Sequence, residues 1–310
     1  MLIGLVAILG CMWRPDQLAA LTLVPPWCWL VAGLSATCCV WRARLPRLAV
    51  ALAACWLFFA CGWVEELPAL ARLAASHLPG TGAPPGQPLR IVSLNCAGGE
   101  RCLADLQLAG ADVVLLQEAP GSAALARMTA ELFGGEGEFC TAGDVAILAR
   151  GTIRNQLQDE SGTFVGASVR LSEGPEIECV SLRLAPPPSR LDPWTSEFWA
   201  EHRQLRQLHR RQLAELMAII GETEDSSAII IGGDFNTMPL DAALDELRPQ
   251  FTDTFARRGI GWGASGTNDW PLFRVDQIWT GARLVPIQTF ARKTTHSDHR
   301  MVICDAVSRQ

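Results

Sequence analysis

Hydrophobic positions are distributed along the chain in two ways. Through residue 66 they form three long runs, about 1–13, 18–40 and 48–64, whereas beyond residue 88 they come as short stretches that end in polar groups. Leu18 to Val40 holds 23 residues without a charge, and about 20 apolar residues cross a hydrocarbon core of about 30 Å. The run from Leu48 to Val64 is flanked by Arg47 and by Glu65 and Glu66, as a spanning helix would be; Met1 to Trp13 is shorter and ends at Arg14 and Pro15. The pattern predicts a transmembrane region over 1–66 with two to three helices, with a kink at Pro25 and Pro26. A cleaved signal peptide is disfavoured, because no positive charge precedes the first run and further runs follow.

The stretch His77 to Pro88 is too rich in proline and glycine for helix or strand, and it marks a linker over 67–88. The body, 89–310, reads as alternating strands and helices. Strands are expected at Arg90–Asn95, Asp112–Glu118, Val145–Ala149, Gly166–Leu171, Ile177–Leu184, Ala228–Gly232, Arg274–Thr280 and Arg300–Val307. Ser196 to Ile220 carries leucines and isoleucines at helical spacing and predicts one long amphipathic helix stopped by Gly221. No internal repeat is present. Short strands mixed with helices predict an α/β fold of packed sheets covered by helices.

Charge separates the two parts further. Of 26 basic and 32 acidic residues, five and three fall in 1–88, which leaves 21 and 29, a net of −8, for the body. Arg42, Arg44 and Arg47 crowd the loop between the second and third runs, and basic loops stay cytoplasmic. With three spans the body is therefore expected on the extracytoplasmic side. Six of the 11 cysteines lie in the apolar runs. The five in the body (Cys96, Cys102, Cys140, Cys179 and Cys304) have no zinc-site spacing, so buried free thiols are favoured over a single bridge between Cys96 and Cys102.

Chemistry-bearing residues gather at the strand ends: Asn95, Glu118, Asp234 and Asn236, then Asp298 and His299. A strand interior is dry while its end opens into loops, so carboxylates and amides from several strands can converge on one cavity. Oxygen ligands of this kind suit magnesium or manganese. Taken singly, each also has a bland explanation as a turn cap or surface charge. His202 and His209, among Arg203, Arg206, Arg210 and Arg211, read most simply as a solvated basic helix face.

Together, Ser93-Leu-Asn95, Gln117-Glu118, Gly233-Asp-Phe-Asn236, Val275-Asp-Gln-Ile278 and Ser297-Asp-His299 resemble the endonuclease/exonuclease/phosphatase superfamily over roughly residues 89–307. The resemblance implies a four-layered α/β sandwich and a metal-dependent phosphoesterase. It implies a Mg²⁺ or Mn²⁺ held by Glu118, with Asn95 and Asp298 completing its shell. It further implies that Asp234 activates water, that Asn236 holds a phosphoryl oxygen, and that His299, held by Asp276, contacts the phosphate. Where many members carry a histidine in a middle strand, Arg183 stands here. An arginine can bind a phosphate oxygen but cannot donate a proton at ordinary pH.

A nuclease would be expected to spread lysine and arginine over its surface, yet the body is acidic and its one lysine is Lys293. A lipid-linked phosphate fits the apolar region better. The arrangement is similar to bacterial membrane-anchored members of the superfamily proposed to act on polyprenyl pyrophosphates, in the inner or plasma membrane. A catalytically inactive, membrane-tethered binding module is the third alternative, and the retained polar set argues against it.

Overall fold

The computed structural model describes residues 2–75, 88–159, 161–172, 174, 176–221 and 228–309. Among them are eleven strands, which form two sheets sharing one long strand. β1 (Leu89–Asn95) lies parallel to β2 (Val113–Gln117) and antiparallel to β11 (Met301–Ser308), which pairs with β10 (Leu284–Arg292). β4 (Val145–Gln158) pairs through its first half with β2 and β3 (Gly137–Ala142), then crosses and pairs with β5 (Phe164–Leu171). The second sheet continues through β6 (Glu176–Arg183), β7 (Ile229–Asp234), β9 (Asp276–Thr280) and the short β8 (Thr252–Asp253).

Alternation along these strands explains the layering. Ile91, Val113, Leu115 and Cys304 face Val169, Cys179, Ile230 and Ile278 in one core between the sheets. The opposite face of the first sheet packs on α5 (Leu103–Gln107) and α6 (Ser122–Phe133) through Leu106, Leu125 and Met128. The opposite face of the second packs on α7 (Ser196–Ile220) through Leu213, Leu216 and Ile220. The result is the expected four-layered sandwich. Two sheets buried on both faces need nearly continuous apolar strands, and the few polar positions inside satisfy one another. Ser93 donates to Gln117, Gln117 to Ser181, and Ser181 to the carbonyl of Leu116. Cys96 and Cys102 are both free and buried, with their sulfurs 3.1 Å apart.

The N-terminal region departs from three straight spans. α1 (Leu2–Trp13) has 12 residues. The second apolar run breaks at Val24–Pro25 into a 3-10 segment, Asp16–Leu23, and α2 (Pro26–Arg42), bent by 81°. Pro25 and Pro26 remove two donors that would carry a helix across the junction. α3 (Pro46–Trp63) is the one helix among the described residues that is long and apolar enough by itself to cross a membrane. It packs antiparallel on α2 so closely that a Cβ on Gly33 would fall 1.9 Å from the Trp56 ring. Residues 67–75 of the expected linker belong to α4 (Glu66–Ala75), and 76–87 lie outside the described residues.

Buried charge joins this region to the sandwich. Arg206 of α7 donates to Asp241, to the carbonyls of Arg14, Pro15 and Ala19, and to the Thr22 hydroxyl. Arg274 bridges Glu65 and Asp253. The expected solvated basic face of α7 is corrected in part: Arg206 is buried under the N-terminal segment, His209 against the carbonyl of Ala185 and His202 against Phe198, while Arg203 and Arg211 are exposed.

Candidate active site

One end of the paired sheets collects the polar residues, and strand register explains why. Arg183, the last residue of β6, stands opposite Asp234 at the end of β7, and Asp234 stands opposite Asp276 at the start of β9. In the first sheet Asn95 stands opposite Gln117, one residue before Glu118. Gly233 permits this crowding, since a Cβ there would fall 1.9 Å from the carbonyl of Leu182. Glu118, Asn236 and Ala97 take left-handed backbone angles, with φ of 44°, 48° and 49°. Such conformations cost of order 1 kcal/mol or more in residues other than glycine, and they cluster at functional sites.

The Asn95 amide joins the two sheets, its nitrogen donating to Glu118 Oε1 at 3.1 Å and to Asp234 Oδ2 at 3.2 Å. Its oxygen accepts from the backbone of Ala97. In this geometry Asn95 therefore presents nitrogen to the carboxylates and ties them together. Asn236 likewise commits its side-chain donors to Asp234 Oδ2 and the carbonyl of Leu184, while its backbone N–H donates to Asp234 Oδ1. This differs from an amide left free for a phosphoryl oxygen; it holds the Asp234 carboxylate in place.

His299 Nδ1 lies 2.8 Å from Asp276 Oδ2. A ligand atom from each of Asp234, Asp276 and His299 falls within 4.8 Å of the others. Burial disfavours the imidazolium, but the charge and hydrogen bond of Asp276, with Asp234 behind, outweigh it and raise the His299 pKa to about 9. Burial and the charge of Asp276 push the Asp234 carboxyl up to about 7, against the pull of His299. An acid near neutrality beside a charged imidazole is a pair able to move protons in opposite directions.

Arg183 donates to Glu118 Oε1 at 2.7 Å and to Asp144 Oδ2 at 2.8 Å. Asp144, in the turn between β3 and β4, is a site neighbour that sequence reasoning missed; a lone aspartate in a glycine-containing turn carries no signal of long-range pairing. Ser265 was missed for the same reason, and its hydroxyl accepts from the backbone N–H of Asp276. Ser297 ties the last loop to β1 by donating to the carbonyl of Asn95. Asp298 beside it is exposed and lines a neighbouring cavity with Asn268, Asp269 and Lys293, outside the Asn95–Glu118–Asp234 network.

The carboxylates of Glu118, Asp144, Asp234 and Asp276 outnumber the cations Arg183 and His299, and Asp276 Oδ1 is buried with no hydrogen-bond partner. A half-exposed Glu118 in a site with surplus negative charge fits a hard divalent cation.

A family model described as the Endonuclease/Exonuclease/phosphatase family matches residues 92–299. No curated protein sequence matches the chain significantly. Among solved structures, an endonuclease/exonuclease/phosphatase from Bacteroides vulgatus is 13% identical with a TM-score of 0.57, over 72% of this chain and 100% of that one. A humanized D. rerio TDP2 is 19% identical, TM-score 0.52, over 71% and 99%. A mutant beta toxin from Staphylococcus aureus with bound magnesium ions is 15% identical, TM-score 0.53, over 72% and 100%. At these identities the likeness is one of fold.

Proposed function

Because the chain belongs to the Endonuclease/Exonuclease/phosphatase family, we propose that it is a membrane-anchored, divalent-metal-dependent phosphoesterase acting on a lipid-linked phosphate ester or pyrophosphate. The observation that carries this is the Asp276–His299 pair set against Asp234, within 4.8 Å, where both sheets end. Glu118 would hold Mg²⁺ or Mn²⁺, and the bound cation would supply Lewis-acid polarisation of the phosphoryl oxygens. Asp234, oriented by Asn95 and Asn236, accepts the proton of the attacking water. His299, kept protonated by Asp276, donates from Nε2 to a phosphoryl oxygen and stabilises the charge that develops there. Arg183, already oriented by Glu118 and Asp144, offers its guanidinium to a second phosphoryl oxygen.

Membrane anchoring is supported by the α2–α3 hairpin. Val31, Leu34, Val50, Leu57 and Phe58 are exposed on it, apolar groups that water would not favour. The hairpin's base meets the sandwich through Trp27 on Trp262 and Glu65 on Arg274, so Arg42, Arg44 and Arg47 sit at its far tip. With basic residues cytoplasmic, this supports an extracytoplasmic catalytic domain in a multi-pass protein.

The test is phosphate release by the full chain in detergent micelles with Mg²⁺ or Mn²⁺, offered a polyprenyl pyrophosphate, a phosphodiester lipid, and single- and double-stranded DNA. Release from a lipid substrate, lost in Asp234→Asn and His299→Ala, is the expected result. Cleavage of DNA alone, lost in the same variants, would replace it with a tethered nuclease; metal binding without turnover of any substrate would favour the binding module.

A further inference from the structure

Between the 3-10 segment and the loop that precedes α7 runs an apolar cleft of about 680 Å³, within the range of small-molecule sites. Leu21, Leu23, Val24 and Trp29 form the N-terminal wall; Pro188, Leu191 and Trp199 form the facing one. Asn236, Thr237 and Met238 also line it, and Asn236 bonds to the Asp234 carboxylate, so the cleft lies beside the candidate active site. Its outer lip is open: Leu191 is 92% exposed, and Trp194, three residues on, is 81% exposed. Leu191 shares the cleft with the bent apolar run that leads into α2.

Two polar atoms in the cleft lack partners. His202 is buried and lines the cleft, and its Nε2 makes no hydrogen bond; Nε1 of Trp29 is buried in the same condition. The rest of the lining is mostly apolar, so the cleft suits a chiefly hydrocarbon occupant. Arg206 pins the N-terminal wall by its bonds to Arg14, Pro15, Ala19 and Thr22, which makes the wall part of the folded domain and not a loosely tethered anchor.

We propose that this cleft seats the hydrocarbon tail of a membrane lipid whose phosphate reaches Asp234 and His299, the lipid entering sideways from the bilayer past Leu191 and Trp194. The inference rests on the phosphoesterase function proposed above and names the substrate class of that same site. It also explains the 81° bend, because a straight second run would carry Leu21 and Leu23 away from α7 and remove one wall.

The experiment places the full chain in nanodiscs with a prenyl phosphate bearing a photoactivatable diazirine in its tail, and maps the cross-links by peptide mass spectrometry. The same preparation is assayed for phosphate release from long-chain and short-chain esters, for the native protein, Leu23→Trp and the conservative Leu23→Ile. Cross-links within 20–29 and 187–199, present also in the Asp234→Asn variant, are expected. So is a fall of tenfold or more in the long-chain to short-chain ratio of kcat/KM for Leu23→Trp, restored in Leu23→Ile. Cross-links confined to other surfaces would overturn the proposal even if phosphate is released. Cross-links in the cleft without turnover would keep the cleft and discard the hydrolase. Equal losses on both esters with unchanged cross-linking would overturn the cleft's role, and mapping the native protein gives an answer even if Leu23→Trp fails to fold.

Discussion

Two clusters of buried charge face different fates in this molecule. Around Arg206, one guanidinium meets Asp241, three carbonyls and a hydroxyl, and its side chain is 1% exposed. Around Asp234, carboxylates accumulate without enough cations, Asp276 Oδ1 has no partner, and the Asp234 pKa is driven up to about 7. A buried charge whose bonds are all made is inert, and removing its partner unfolds what it joins. A charge left in surplus is held ready for a proton, a cation or a substrate. The first cluster welds the N-terminal segment to the sandwich; the second is where chemistry is expected.

The largest effect should come from removing the reactive charge. Asp234→Asn should lower phosphate release about 10³-fold or more, within or beyond the 10²–10⁴-fold typical of one general base. Its melting temperature should hold or rise, because a carboxylate in a crowded acidic cluster is lost. A matching loss of stability would mean that Asp234 is structural, and the contrast between the clusters would collapse.

Arg206→Leu should do the reverse. It strands Asp241 and the carbonyls of Arg14, Pro15 and Ala19, and should cost about 3–5 kcal/mol in urea unfolding of the full chain. A cost under about 1 kcal/mol would show that the joint is decorative.

The pH profile sharpens the same contrast. In the proposed mechanism Asp234 is needed deprotonated and His299 protonated, so kcat/KM should rise through about 7 and fall through about 9. Asp276→Asn should move the alkaline limb down by a unit or more, and an unmoved limb would sever His299 from it. For stability, the His299 pKa is raised on folding, so its contribution is complete below about 6.5 and is lost as pH rises through about 9.

The smallest effect concerns Arg183, which donates to the Glu118 carboxylate that would hold the cation. Arg183→Ala should tighten Mn²⁺ binding a few-fold, roughly 1 kcal/mol or less for a partly exposed pair. Isothermal titration reads this directly; weaker binding would mean that the arginine orders the metal ligand instead of competing with it.

Much of the sandwich was legible because each clue was local. Apolar stretches ending in Asn95, Glu118 and Asp234 marked β1, β2 and β7, and the leucine spacing with Gly221 bounded α7 at Ser196 and Ile220. β3, β8 and β10 escaped, since β8 has only two residues and mixed polar edge strands such as Gly137–Ala142 lack a clear alternation. Motif order anticipated that Asn95, Glu118, Asp234, Asn236, Asp276 and His299 gather at one end of the sheets, but not that Asp298 stands apart, and the partners were not visible: Asp144 reaches Arg183 across 39 residues and Ser297 reaches Asn95 across 202. His202, Arg206 and His209 were misplaced on a wet surface because charge predicts solvent only when no distant segment covers it.

The sequence by itself therefore determined most of the strands, the polar strand ends and the apolar front, all properties of neighbouring residues and their periodicity. Only the tertiary structure decided that the second apolar run bends back onto α7 and that Asn95 spans both sheets to Asp234. It alone left Asp276 Oδ1 bare, because desolvation, register and charge balance are set by residues far apart in the chain that meet only when it folds.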